Sequence, residues 1–228
     1  MFYRFVKRCF DVVVSFLAII VLFPFFILVV IGIKASSQGP VFFISDRIGV
    51  NGKSFKMCKF RSMHIRKNGT NESQYLVNEH RIFSFGKFIR KSKIDELPQL
   101  INVFLGDMSI IGPRPYPKKY VDMYYTGYYS KILSVRPGLA CLDSLYDYAH
   151  GELFVVNERE YSEQILPIRT ELASIYIDNM SIKMDLYCIF RTIRLIFEIV
   201  IKKKRKFDFT KYELDAMRTR LNTESEKG

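Results

Sequence analysis

A chain of 228 residues is long enough for one catalytic-sized core with an appended segment, and short for two full domains. Hydrophobic residues make up 49% and charged residues 25%, which excludes a bundle of membrane spans and is unusual for a wholly soluble protein, so the composition implies partial membrane residence. The net charge of +12 suits an anionic lipid surface or phosphate-bearing substrates. Its placement argues against a nucleic-acid partner, because Arg4, Lys7, Arg8 and the run from Lys202 to Arg205 flank apolar stretches rather than forming a basic domain.

The first element is the apolar run from Val12 to Ile33, which as a straight helix would extend about 33 Å against a hydrocarbon core of about 30 Å. Pro24 sits inside it, removes one backbone hydrogen bond and presses on the carbonyl of Ile20, so a bend is expected there. Bent at that point, the arms reach only roughly 18 and 14 Å, too short to cross singly. Basic residues on both flanks (Arg4, Lys7 and Arg8; Lys34) then suit a re-entrant helix-break-helix with both ends on one face. A kinked single span stays open as the alternative. The run is too long for the apolar region of a cleaved signal peptide.

Beyond it, Val41-Phe42-Phe43, Phe55 and Phe60 flank Asn51-Gly52, which predicts a short β-hairpin between Gly39 and Met63. The polar stretch from Lys67 to Glu79 reads as a loop. A helix is expected over Arg81 to Arg90, and another from about Asp95 to Phe104 before Gly106. Gly112-Pro113-Arg114-Pro115-Tyr116-Pro117 must be a stiff loop, since its prolines lack donors and fix φ. Tyr124, Tyr125, Tyr128 and Tyr129 form an aromatic cluster expected at a membrane interface. Ser181 to Ile201 has helical period, with Lys183, Arg191, Arg194 and Glu198 in one narrow arc, and suits an interfacial or core-packed amphipathic helix. The tail after Phe207 is polar and expected to fray.

The fold class expected is α+β and mainly helical. It comprises a membrane hairpin over residues 1–36, a cytoplasmic catalytic domain over 37–206 carrying the β-hairpin and interfacial helices, and a polar tail over 207–228. Cys9, Cys58, Cys141 and Cys188 are too scattered for a metal or redox pair and imply a reducing compartment. His64, His80 and His150 have no ligand spacing and are read as surface or packing residues.

The most informative stretch is Lys93-Ile94-Asp95-Glu96-Leu97-Pro98-Gln99-Leu100. Pro98 fits only the first turn of a helix, which places Asp95 near the N-cap and Glu96 on that turn. The helix start would keep Asp95 ionised and draw phosphate to the same end. An acidic N-cap with no further task is the plain reading of such a pair.

Several longer motifs surround it: Lys7-Arg8-Cys9-Phe10-Asp11, Gly39-Pro40-Val41-Phe42-Phe43, Arg47-Ile48-Gly49, Lys59-Phe60-Arg61-Ser62-Met63, Gly106-Asp107-Met108-Ser109-Ile110-Ile111-Gly112-Pro113-Arg114-Pro115 and Arg136-Pro137-Gly138. With them the chain resembles, over nearly its whole length, the monotopic polyprenyl-phosphate phosphoglycosyl transferases, the bacterial sugar transferases that start capsule, exopolysaccharide, O-antigen and N-glycan assembly. The resemblance implies a two-step displacement at the cytoplasmic face of the bacterial inner membrane. Asp95 attacks a UDP-sugar, expels UMP and holds the phosphosugar, and polyprenyl (undecaprenyl) phosphate then takes it. Glu96 matches the family's Mg²⁺ ligand, and Arg90, Arg114, Arg136 and Lys59 are candidates for neutralising phosphate charge. A homodimer is compatible with this reading. The rival is a non-catalytic module that binds phosphate or lipid and helps assemble a complex.

The chain departs from the family pattern in three places. Phe23 precedes Pro24 where a serine is typical, leaving Pro24 to bend the helix without a side-chain hydrogen bond. Ser45-Asp46 replaces a common Gln-Glu pair. The segment from Ala140 to Tyr148 replaces a Thr-Gly-X-Ala-Gln-Val-Asn-Gly-Arg type of sequence; it is expected to bear on substrate choice without touching the carboxylate pair.

Overall fold

The computed structural model describes residues 2–65, 81–150, 158–201 and 209–225. It opens with helix α1 (Phe2–Ser36), followed by strands β1 (Phe42–Ile48) and β2 (Ser54–Phe60), paired antiparallel with Phe42 opposite Phe60 and Ile48 opposite Ser54. The hairpin turns where expected, because Asn51 (φ 55°) and Gly52 (φ 73°) both take the left-handed backbone that an Asn-Gly pair tolerates. The stretch 67–79 lies outside the described residues, as does His80. Helix α2 spans Ser84–Lys91 and α3 spans Gln99–Leu105, with a separate 3-10 turn over Ile94–Glu96 between them.

Strand β3 (Ser109–Ile111) lies parallel to β4 (Gly138–Ala140), a pairing the local pattern did not suggest because each strand is only three residues long. Between them runs α4 (Lys118–Tyr124). Among the described residues that follow are helices α5 (Leu142–His150), a short α6 (Glu158–Glu160), α7 (Leu166–Asp178), α8 (Ile182–Ile201) and α9 (Lys211–Ser225).

The main core gathers residues of β3, β4, α5, α7, α8 and α9, among them Ile111, Cys141, Leu145, Tyr146, Leu172, Tyr176, Cys188 and Leu195. The described part of the tail does not fray but forms α9. Thr210 and Glu213 cap α9 reciprocally: the Thr210 N–H donates to Glu213 Oε2 at 2.5 Å, and the Glu213 N–H donates to Thr210 Oγ1 at 3.3 Å. Ala216 is fully buried. His150 is likewise a packing residue, stacked on Phe209 with ring centroids 4.4 Å apart, and His64 Nδ1 lies 3.0 Å from Ser37 Oγ.

The tyrosine cluster is tied to the rest of the fold by its hydroxyls and rings, with Tyr125 buried and Tyr128 exposed. Tyr125 is buried edge-on to Tyr116. Tyr124 donates to the carbonyl of Ser162 ahead of α7, while Tyr129, donating to Glu171 at 2.7 Å, and Tyr128, donating to Asp178 at 2.9 Å, tie the start of the 3-10 segment Gly127–Ser134 to α7.

Helix α1 continues through Pro24, so the expected break is absorbed within one helix. Its two halves lean on the same body. In the first half, Tyr3 and Lys7 each donate to Asp185 of α8 at 2.7 Å, and Arg8 donates to the carbonyls of Val103 (2.7 Å) and Phe104 (3.0 Å) at the end of α3. The carbonyl of Val103 also accepts from the N–H of Gly106, which caps the helix, at 3.1 Å. Buried Asp11 accepts from the Ile110 N–H at 2.9 Å. In the second half, Val29 and Ile33 pack with Phe60, Phe83 and Ile89. Arg61 then donates to the carbonyls of Ser37 (2.8 Å) and Gln38 (2.7 Å) just past the helix end. Between the anchors, Leu17, Ile20, Val21 and Phe23 are exposed.

Candidate active site

Lys93 initiates the site with a left-handed backbone (φ 59°, ψ 14°), an uncommon conformation for a residue with a Cβ. It reverses the chain out of α2 into the 3-10 turn, whose bonds run from Glu96 N to Lys93 O and from Leu97 N to Ile94 O, both at 3.1 Å. Pro98 is the N-cap of α3, where its missing N–H costs nothing. Asp95 is therefore on a turn of its own before the helix, not at the N-cap as the proline spacing suggested. Nor does that position keep it readily ionised. Burial, reinforced by the adjacent Glu96 charge, raises its pKa above the usual carboxylate value, with Lys59, Lys93 and Arg90 pulling the other way. Asp95 is buried, and its Oδ1 has no hydrogen-bond partner among the described residues.

Glu96 is the centre of the charge network. Its Oε1 accepts from Lys59 Nζ of β2 at 3.0 Å and from Arg114 Nη2 at 2.8 Å. Its Oε2 accepts from the Tyr148 hydroxyl at 3.2 Å, with Arg114 Nη1 at 3.5 Å. Burial would raise Glu96, but the charges of Arg114, Lys59 and Lys93 outweigh it and hold the carboxyl well below its ordinary range. Burial pushes the Lys59 ammonium down, with Glu96 opposing. A poised cation and a firmly ionised carboxylate thus sit beside a carboxyl that resists ionisation.

Arg114 reaches this point on the stiff loop after β3. The loop is pinned by backbone bonds from Gly112 N to Ala140 O and from Gly138 N to Pro113 O, both 2.9 Å, and by the Arg114 N–H donating to Asp143 of α5 at 3.0 Å. Asp143 faces buried Arg169 at 4.0 Å, and the same guanidinium meets Asp147 at 3.3 Å. The loop requires glycine on both sides of the β3–β4 contact. A Cβ on Gly138 would lie 2.2 Å from the Gly112 nitrogen, and one on Gly112 would lie 2.5 Å from the Arg136 carbonyl oxygen. Gly138→Ala is expected to lower stability by roughly 1–3 kcal/mol, read as a shifted denaturant midpoint, and to lower activity further by displacing Arg114. An unchanged midpoint would show that the two backbones can separate without cost.

Of the residues singled out from sequence, Asp95, Glu96, Lys59 and Arg114 come together. Arg90, in the last turn of α2, acts on Asp95 through its charge, and its carbonyl accepts from Lys93 N at 3.1 Å. Arg136 stands at the other end of α3, where its Nε donates to the Gly106 carbonyl at 2.7 Å. Two residues were missed. Lys93 places its ammonium 4.3 Å from the Tyr148 ring centroid, and Tyr148 donates to Glu96. The segment from Ala140 to Tyr148 therefore does touch the carboxylate pair, contrary to expectation, because α5 folds back against the loop that carries Arg114. Only its departure from the family pattern marked it in the sequence.

A family model described as "Bacterial sugar transferase" matches residues 2–199. The chain belongs to that family. Among relatives, a UDP-glucose:undecaprenyl-phosphate glucose-1-phosphate transferase of Klebsiella pneumoniae is 35% identical over 82% of this chain and 39% of its own length. A transferase of the same description from Caulobacter vibrioides is 34% identical over 82% of the chain and 68% of its own length. The exopolysaccharide production protein PSS of Rhizobium leguminosarum bv. phaseoli is 35% identical over 82% and 92%. The chain thus spans about two fifths of the first of these and nearly all of the last. The bacterial sugar transferase match ends before α9, which makes that capped and docked helix an addition to the matched region.

Proposed function

We propose that this bacterial sugar transferase moves a sugar phosphate from a UDP-sugar to a polyprenyl phosphate, with Asp95 as nucleophile. The observation that carries the reading is the buried Asp95 oxygen with no partner among the described residues, beside a Glu96 that holds two cations. An Asp95 oxygen attacks the sugar-linked phosphorus, the bond from that phosphorus to the bridging oxygen breaks, and UMP leaves with the bonding electrons. An oxygen of polyprenyl phosphate then attacks the same phosphorus and frees the Asp95 carboxylate. Because both reactants are anionic, the step depends on neutralisation of the phosphate, for which Lys59 and Arg114 are placed. Exclusion of water from Asp95 raises its reactivity and protects the phosphosugar ester from hydrolysis.

The donor set fits Mg²⁺. Glu96 is held ionised next to an Asp95 oxygen that has no partner among the described residues, and a single carboxylate suits an ion that completes its shell with phosphate and water. Glu96 would hold the ion, which when bound supplies further neutralisation of the transferring phosphate.

The membrane arrangement we infer is a re-entrant one, at the cytoplasmic face of the inner membrane. Both halves of α1 are anchored to one body while its middle is exposed and apolar, so entry of that middle into a bilayer would bring both ends back to the same face. A stripe on α8 (Ile182, Leu186, Phe190, Ile193, Phe197 and Ile201) is exposed at helical spacing and suits the lipid surface. Cysteines introduced near residues 4 and 36, in a background without native cysteines, should both react with an impermeant reagent from the cytoplasmic side only. Reaction from opposite sides would establish a span. The enzymatic reading itself is tested by supplying purified protein with a panel of UDP-sugars and polyprenyl phosphate. UMP release and a lipid-linked phosphosugar are the expected products, whereas lipid binding without UMP would leave the non-catalytic module.

A further inference from the structure

We infer that Tyr148 is a positioning residue for Glu96, the neutral donor that holds this carboxylate in place when donor phosphate draws Lys59 and Arg114 away. The inference rests on the proposed phosphosugar transfer and deepens it. Its basis is the division of labour on the two Glu96 oxygens. Oε1 takes both cations at their shortest distances, 3.0 Å from Lys59 and 2.8 Å from Arg114. Oε2 takes the Tyr148 hydroxyl at 3.2 Å, nearer than the 3.5 Å of the second Arg114 contact. When the cations turn to phosphate, Oε1 is vacated, and the Tyr148 bond to Oε2 still fixes the carboxylate. A phenol suits this task because, being uncharged, it has no comparable attraction to the incoming phosphate.

The tyrosine is itself held from both sides. The Lys93 ammonium lies over its ring at 4.3 Å, within the range of a cation–π contact. Lys93 also sets the left-handed turn that leads into Asp95, so one side chain connects the nucleophile's turn to the orientation of Glu96. Tyr148 is carried on α5, where Asp143 fixes the Arg114 backbone and Arg169 secures Asp147.

Tyr148→Phe removes the hydroxyl and keeps the ring for Lys93. The expected result is a fall of about tenfold in kcat for UMP release, the size of one lost hydrogen bond to a charged group, with KM for the UDP-sugar within about twofold. In the Asp95→Asn background, where no transfer occurs, calorimetric binding of the UDP-sugar should be the same with Tyr148 or with Tyr148→Phe. Melting temperatures verify folding, and Tyr148→His, which keeps a ring and a donor, should recover part of kcat. A folded Tyr148→Phe with kcat within twofold of wild type would overturn the inference. So would a tenfold loss of UDP-sugar binding at unchanged kcat, which would make Tyr148 a substrate contact. If Tyr148→Phe does not fold, a folded Tyr148→His with kcat and KM both collapsed would also refute it. Wild-type protein that released no UMP would instead remove the underlying reading, and this inference with it.

Discussion

Asp95→Asn is expected to abolish both UMP release and the covalent phosphosugar, a loss of at least about a thousandfold in kcat, while leaving the protein as stable as the wild type or slightly more so. The amide has the shape of the carboxylate but no oxyanion to form the phosphorus–oxygen bond. The stability half of the expectation follows from the direction of the Asp95 pKa. Burial raises it in the folded chain, with Glu96 adding to the effect, so the folded state binds the proton more tightly than the unfolded one. At neutral pH, ionised Asp95 therefore opposes folding, and a neutral side chain removes that cost. Incubation with UDP-sugar in the absence of polyprenyl phosphate, followed by peptide mass spectrometry, reads the adduct directly. A melting curve reads the stability. An adduct on another residue, or kinetics that require both substrates bound at once, would sink the assignment of Asp95.

Replacement of Arg114 should have the next largest effect, and the size should depend on what replaces it. Arg114→Lys keeps a charge but loses the fork that spans both Glu96 oxygens, so about 1–10% of wild-type kcat/KM is expected to remain, or about 1.4–2.7 kcal/mol of transition-state stabilisation lost. Arg114→Ala should cost more activity and also stability. Both partners are largely shielded, at 18% and 11% side-chain exposure, and removing one leaves Glu96 with Lys59 as its remaining charge partner at hydrogen-bond distance, a loss of about 3 kcal/mol in comparable buried pairs. Glu96 has a depressed folded pKa, opposed by burial and held down first by Arg114, so its contribution is full above the unfolded carboxylate range and is lost as pH falls through the folded value. Without Arg114 the folded value moves up. The stability that Glu96 contributes should therefore be smaller in Arg114→Ala, and its loss should be complete at a higher pH than in wild type, measured by denaturant midpoints over the acidic range. Identical acid limbs would show that Lys59 alone holds Glu96, and wild-type turnover in Arg114→Lys would remove the arginine from the mechanism.

The family-like motifs divide into chemistry and architecture in a way their sequence did not announce. Lys59, Asp95, Glu96 and Arg114 converge on one network. Arg8 and Asp11, equally prominent in the motifs, instead tie the first half of α1 to backbone groups of α3 and β3, and Arg61 holds the backbone just past the helix's end. Arg136 caps the end of α3 by donating to Gly106, whose own Cβ position would lie 3.2 Å from Arg8 Nη2. A charged side chain that satisfies buried carbonyls and one that awaits a phosphate are the same residue type in a motif, and only their partners distinguish them.

Local physics was enough for the features that depend on near neighbours. Asn51-Gly52 dictated the hairpin turn and the prolines after Gly112 dictated a stiff loop, whereas the apolar run around Pro24, expected to break there, is one continuous helix. The adjacency of Asp95 and Glu96 was likewise a matter of sequence alone. What tertiary structure decided was their electrostatic character. Asp95 resists ionisation because the fold buries it, and Glu96 is held ionised because Lys59, 37 residues before it, and Arg114, 18 residues after it, are brought to its oxygens. The same holds for Tyr148, 52 residues from the carboxylate it contacts. Turn chemistry and periodicity act over a few residues, whereas burial and charge pairing depend on which distant segments the core brings together, and that is written in no local pattern.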